Sequence, residues 1–153
     1  MKLGRRELLL TMLAAVAVTR PAGVAAAPVA MEVWKAPTCG CCKDWIRHMQ
    51  ANGFRAQVHD EGNTDRRASL GMPLRYASCH TALVGGYAIE GHVPARDIQR
   101  LLAERPSAVG LAVPGMPVGS PGMDGPAYGT RKDPYDVLLV RKDGSTTSFQ
   151  RYP

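Results

Sequence analysis

The sequence predicts one α/β domain, and three observations carry that reading. Short segments of alternating apolar and polar residues take turns with segments of helical spacing, and Gly, Pro, Asn and Asp punctuate the joins. A chain of 153 residues with 45% hydrophobic and 21% charged content suits one ordinary globular core.

Met31 to Lys35 alternates in character and runs toward Pro37, as a strand leading into a loop does. That loop is Cys39-Gly40-Cys41-Cys42. From Cys42 to Gln50 the spacing of Trp45, Ile46 and Met49 predicts a helix stopped by Asn52-Gly53, with Cys41 and Cys42 at or just before its N-terminus. Phe54 to His59 reads as a second strand, and Thr64 to Leu70 as a short helix with Asp65 in its first turn and Gly71 past its end. Cys79 to Val84 and Tyr87 to Glu90 flank Gly85-Gly86, the composition of a hairpin with a two-residue turn. Pro94, at a first helical position, opens Ala95 to Glu104, whose Ile98, Leu101 and Leu102 make one apolar stripe.

Strand, cysteine loop, helix, strand, helix, hairpin, helix is the order of a thioredoxin-like fold. Beyond it, Pro106 to Pro134 is rich in Gly and Pro and carries Met116 and Met123, which predicts neither a regular helix nor a central strand. Asp136 to Val140 and Thr146 to Gln150 flank Asp143-Gly144 and predict a closing hairpin. The expected architecture is therefore a thioredoxin-like domain with a Gly/Pro/Met-rich loop and a C-terminal β-hairpin.

Residues 1–26 have the three parts of an export signal: basic Lys2, Arg5 and Arg6, an apolar run from Leu8 to Val18, and small residues from Ala22 to Ala27. The run falls short of the roughly 20 apolar residues a spanning helix needs. Cleavage is expected after Ala26, leaving residues 27–153 in the periplasm with no stable membrane insertion. Arg5-Arg6-Glu7-Leu8-Leu9 also has the form of a twin-arginine signal, a route for folded cargo. Removing the segment takes Lys2, Arg5, Arg6 and Arg20 from the 19 basic residues and Glu7 from the 13 acidic ones, lowering the net charge from +6 to about +3. With no basic helix or aromatic-basic interleaving left, nucleic-acid binding is not expected.

Export places Cys39, Cys41, Cys42 and Cys79 in an oxidising compartment. Three cysteines in four positions beside a helix N-terminus suit two chemistries. One is a metal thiolate site, since thiolate, thioether and imidazole are ligands for Cu(I) and equally for Ag(I). The other is disulfide exchange by the Cys39-x-x-Cys42 pair, its thiolate favoured by the helix dipole. The additional Cys41 argues for metal, because a dithiol enzyme needs two sulfurs. A structural zinc site is the plainer alternative, although such sites usually draw on two separated ligand pairs. Cys79-His80 opens a strand expected to run beside the cysteine loop. His92 stands just before Pro94, and Met116 and Met123 lie where little local core needs filling, so all three are candidate donors. His48 and His59 sit within the first helix and the second strand and are read as non-ligands.

Four motifs in order, Pro37-Thr38-Cys39-Gly40-Cys41-Cys42, Ser78-Cys79-His80-Thr81, Glu90-Gly91-His92-Val93-Pro94 and Gly115-Met116-Pro117-Val118-Gly119-Ser120-Pro121-Gly122-Met123, resemble the CopG-like periplasmic proteins of copper resistance. These are distinct from the ribbon-helix-helix regulators of the same name. The resemblance runs from about Met31 to Asp124. It implies a thioredoxin-like domain holding a cysteine-bridged copper cluster, interconversion of Cu(I) and Cu(II), and association with copper efflux or redox components. The implied ligands are Cys39, Cys41, Cys42, Cys79, His80, His92, Met116 and Met123. The alternative function, from the residues alone, is a thiol-disulfide oxidoreductase using Cys39 and Cys42.

Overall fold

The computed structural model describes residues 26–153, so the export signal expected over 1–26 lies, but for Ala26, outside the described residues. The elements are β1 (Val29–Lys35), α1 (Gly40–Ala51), β2 (Phe54–His59), α2 (Thr64–Ser69), β3 (His80–Val84), β4 (Tyr87–Glu90), α3 (Ala95–Glu104), β5 (Gly110–Ala112), β6 (Tyr135–Val140) and β7 (Thr146–Tyr152), with 3₁₀ turns at Leu74–Tyr76 and Pro126–Tyr128. The strands form one seven-stranded mixed sheet in the order β2-β1-β3-β4-β5-β6-β7. β1 pairs parallel with β2, β4 parallel with β5, and the other neighbours are antiparallel.

Strand alternation sorts the side chains to two faces. Met31 and Val33, Ala82 and Val84, Ile89, Leu111 and Leu139 share a face with Trp45 and Met49 of α1 and with Ile98 and Leu101 of α3. Ile98, Leu101 and Leu111 are fully buried, and each contributes about 1.5–3 kcal/mol of transfer free energy. The opposite face carries Ala88, Ala112 and Val140 beneath Met72, Leu70 and Tyr76, which follow α2. Gly85 and Gly86 both have positive φ (56° and 87°), as the primed hairpin turn of β3 and β4 requires.

One sequence expectation is corrected. Gly110-Leu111-Ala112, inside the segment expected to hold no central strand, is β5, paired with β4 on one side and β6 on the other. Three residues free of proline suffice. A Cβ at Gly110 would lie 1.7 Å from the Ala88 carbonyl oxygen, so only glycine lets the two backbones pair this closely. Pro94 is also displaced by one position: it is the extended residue preceding α3, which begins at Ala95. The closing hairpin forms as expected, with a bulge between Val137 and Leu138.

The topology gathers one end of the sheet into a site. The antiparallel register sets Lys35 opposite His80 and Thr81 opposite Glu90. The loop after β1, the start of β3, the turn after β4 and the loop after β5 therefore meet at the same end.

Candidate metal centre

Cys39 terminates the β1 loop and caps α1, its Sγ accepting the Cys42 backbone N–H at 3.3 Å. That places Cys41 and Cys42 in the first turn, where the exposed N–H groups favour sulfur in its anionic form. Cys39 and Cys42 are joined as a disulfide, whereas Cys41 and Cys79 are free thiols. The Cys41 Sγ lies 3.6 Å from Cys39 Sγ, 3.9 Å from Cys79 Sγ and 4.0 Å from the Met116 Sδ. Cys42 is fully buried, with its Sγ 3.6 Å from the Cys79 carbonyl oxygen.

Cys79 precedes β3 and faces inward to two imidazoles. Its Sγ is 3.0 Å from His92 Nε2 and 3.4 Å from His80 Nδ1. His92 Nδ1 lies 2.8 Å from the Pro121 carbonyl oxygen. Because a carbonyl only accepts, Nδ1 holds the ring proton and Nε2 is left with its lone pair toward the sulfur. An imidazole oriented in this way by an outer carbonyl is the usual state of a metal-binding histidine. His80 has the same strand parity as Ala82 and Val84, so its ring enters the α1 face, 4.2 Å from the Trp45 ring and 5.1 Å from the His92 ring. Among the described residues His80 Nε2 is buried without a hydrogen-bond partner.

Burial favours the uncharged forms of Cys79, His80 and His92. Burial, then the neighbouring Cys41 thiol, pushes the Cys79 thiol up to about 12. Burial, then the His92 ring, holds His80 well below the ordinary imidazole range, and burial also lowers His92. A cation here meets uncharged nitrogens and a thiol whose proton it must displace. Two donor groups, Cys39/Cys41/Cys42/Cys79 and Cys79/His80/His92, each have their ligand atoms within 4.8 Å of one another. Cys79 belongs to both. Thiolate, imidazole and thioether together suit a soft monovalent cation and offer none of the oxygen donors that calcium or magnesium would take.

The loop carrying the methionines closes over this end. Gly122 (φ +88°) lies against the start of α1, where a Cβ would be 2.7 Å from the Cys41 carbonyl oxygen and 2.8 Å from the Trp45 backbone nitrogen. Met116 is half exposed beside Cys41, and Ser78 Oγ anchors its loop through a 2.6 Å bond to the Gly115 carbonyl. Met123 is buried, and its sulfur accepts the Tyr128 hydroxyl at 3.4 Å. His48 Nε2 accepts the Ala95 N–H at the start of α3, and His59 stacks on Trp34 while contacting Glu32. Neither is in a donor group.

Behind the ligands lies a feature to which sequence reasoning gave no role. On the opposite sheet face, Glu90 is fully buried and accepts Arg67 Nε at 2.9 Å, the Ser78 N–H at 2.7 Å and Thr81 Oγ1 at 2.5 Å. Arg67 Nη2 and Asn63 Nδ2 both donate to the Ser78 carbonyl at 3.2 Å. Ser78 precedes Cys79, and Glu90 stands two residues before His92. This buried ion pair therefore ties together the two segments that deliver the Cys79 sulfur and the His92 nitrogen. A glutamate ending the otherwise apolar Tyr87-Ala88-Ile89 run was its signal.

Three comparisons follow from this geometry. A domain family described as "Protein of unknown function, DUF411" matches residues 76–123, a span that contains Cys79, His80, His92, Met116 and Met123. A search of curated proteins gave no match. Two solved structures, "Copper resistance protein copG- Form 1" and "Copper resistance protein copG- Form 2", are each 46% identical with a TM-score of 0.75; both matches cover 82% of this chain, and 98% and 99% of those chains. With that identity over almost the whole of those chains, and with the Cys-x-Cys-Cys sequence at Cys39 to Cys42, the chain belongs to the CopG family of copper resistance proteins.

Proposed function

We propose that this protein binds copper at the sulfur-rich end of its sheet and holds it in a cluster bridged by cysteine sulfur, as part of copper resistance. The observation that carries the proposal is the shared position of Cys79, whose sulfur is common to the four-cysteine group and to the imidazole group. A thiolate so placed can bridge two metal ions, one on the cysteine side and one on the histidine side. With the Cys39–Cys42 disulfide reduced, Cys39, Cys41, Cys42 and Cys79 would supply the thiolates, His80 and His92 the imidazoles, and Met116 an exposed thioether beside Cys41. Met123, whose buried sulfur accepts the Tyr128 hydroxyl, we assign to the same donor set on the family resemblance. The site combines sulfur suited to Cu(I) with nitrogen tolerant of Cu(II), which supports interconversion of the two states.

The finer readings are proposals of the same kind. The β2-β1-β3-β4 order, with α1 and α3 on one face, supports a thioredoxin-like description of the first part of the fold. The basic, apolar and small-residue order of residues 1–26 supports export to the periplasm. Efflux or redox components there would be the partners. No helix among the described residues is long and apolar enough to cross a membrane.

Copper stoichiometry tests the main reading. Cys41→Ser is expected to lower the copper bound per chain, measured by elemental analysis after anaerobic Cu(I) loading; unchanged loading would sink it. One observation favours a second reading, thiol-disulfide exchange: the Cys39–Cys42 disulfide stands at a helix N-terminus. For that reading, Cys42→Ala must trap a mixed disulfide with a protein partner through Cys39, and recovery of the variant free of adducts counts against it.

A further inference from the structure

The Cys39–Cys42 disulfide ties up two of the four sulfurs. It leaves intact the other donor group, Cys79, His80 and His92, whose ligand atoms lie within 4.8 Å of one another. The balance there is different: one free thiol and two imidazoles in place of a sulfur-rich shell. Both rings turn a nitrogen to the same sulfur, His92 Nε2 at 3.0 Å and His80 Nδ1 at 3.4 Å. A zinc ion with bonds of about 2.0–2.1 Å to nitrogen and about 2.3 Å to sulfur sets those atoms roughly 3.5 Å apart in a tetrahedron. The His80 nitrogen already has that spacing, and the His92 nitrogen reaches it by moving back about half an ångström. His80 is also fully buried, and its Nε2 has no hydrogen-bond partner among the described residues, a placement that core packing alone does not favour. The supports of the group are independent of the disulfide: Glu90 binds the Ser78 N–H beside Cys79, and the Pro121 carbonyl fixes the His92 tautomer.

We propose that the disulfide form of the protein holds one zinc ion on Cys79 Sγ, His80 Nδ1 and His92 Nε2. Cys41 lies outside this donor group, so the ion has three protein ligands and a fourth position left to solvent, a common arrangement for zinc. Binding passes the Cys79 thiol proton to solvent, and no electron moves. Zinc fits this set better than Cu(I), which takes a sulfur-rich shell. Having no redox chemistry, it also leaves the Cys41 and Cys79 thiols unoxidised. The state of the Cys39–Cys42 pair therefore selects the metal: four sulfurs for copper when it is reduced, one sulfur and two imidazoles for zinc when it is closed. The zinc site shares donors with the copper cluster but requires no copper.

The test uses the full chain with its Cys39–Cys42 disulfide confirmed by alkylation and mass spectrometry. It is titrated with zinc sulfate under argon against a chromogenic zinc chelator, and one zinc ion per chain is expected to stay with the protein. Cobalt(II) in place of zinc should give a thiolate-to-metal charge-transfer band and the visible bands of a tetrahedral ion. His92→Ala and Cys79→Ser should each weaken zinc binding by more than the about tenfold to hundredfold typical of outer-shell changes. His48→Ala, which removes an imidazole outside the group, should keep it. Zinc lost wholly to the chelator, a six-coordinate cobalt spectrum without the sulfur band, or undiminished zinc on His92→Ala and Cys79→Ser overturns the proposal. Where a variant does not fold, the cobalt spectrum of the unsubstituted chain decides. Cu(I) is loaded onto the fully reduced chain in parallel. Copper uptake there with no zinc on the disulfide form removes the zinc site alone. Zinc on the disulfide form with no copper uptake by the reduced one removes the copper reading and leaves the zinc site standing.

Discussion

Arg67→Met exposes the buried ion pair behind the ligands to a quantitative test. Glu90 is fully buried and Arg67 nearly so, and the guanidinium is the only cation bonded to that carboxylate among the described residues. Removing one partner of a buried pair leaves the other charge uncompensated and typically costs about 3–5 kcal/mol. For a domain of this size that corresponds to a fall in Tm of roughly 10–20 °C at neutral pH. Burial already raises the Glu90 carboxyl above its ordinary value, against the pull of its donors, Arg67 among them. The variant raises it further. A carboxyl whose folded value lies above its unfolded one is most favourable below the unfolded value, and that advantage is lost as pH rises through the folded value. The deficit of Arg67→Met should therefore be larger near about pH 8 than near about pH 5, because falling pH favours the protonated, uncharged carboxyl. Loss of the Arg67 bond to the Ser78 carbonyl also loosens Cys79, and Cu(I) affinity should drop by about tenfold or more, as for other outer-shell partners of metal ligands. Adding Glu90→Gln to the variant should restore most of the stability. Thermal unfolding at the two pH values and competitive Cu(I) titration read these effects. An unchanged Tm, or an equal loss at both pH values, refutes the reasoning.

Gly122→Ala forces a Cβ against the first turn of α1 at positive φ, and should cost about 1–3 kcal/mol in urea unfolding and lower copper loading together. Because the Cys79 thiol is pushed up to about 12, copper must displace its proton, so affinity should weaken by about tenfold per pH unit of acidification for each thiol proton displaced; a flat profile from about pH 8 to pH 6 contradicts it. His48→Ala removes the acceptor for the Ala95 N–H and should cost about 1 kcal/mol of stability with no change in copper stoichiometry. A loss of bound copper would make His48 a ligand after all.

Much of this was readable from residue order, because local chemistry fixed it. Gly85-Gly86 could only turn a hairpin, Asn52-Gly53 could only end a helix, and Trp45, Ile46 and Met49 could only face one way. The cysteine cluster was legible too, since Cys39, Cys41 and Cys42 are neighbours in sequence and the order of strands brings Cys79 to them. What escaped depends on distant pairing. β5 is three residues long and is held by β4 and β6, so its strand character is supplied by partners rather than by its own pattern. Arg67 lies in a short polar helix where an exposed arginine is the ordinary expectation; nothing local shows that it reaches Glu90 through the sheet face. The Cys39-x-x-Cys42 spacing suits both a metal thiolate site and a disulfide, and sequence order alone does not show that the two cysteines are joined in the form described here.

Copper-edge X-ray absorption on the Cu(I)-loaded protein, with metal content measured on the same sample, bears most directly on the shared role of Cys79. A cysteine-bridged cluster requires several copper ions per chain, a sulfur-rich first shell, and copper–copper scattering that disappears in Cys79→Ser. A single metal ion without metal–metal scattering, or a spectrum unaltered by Cys79→Ser, would contradict it.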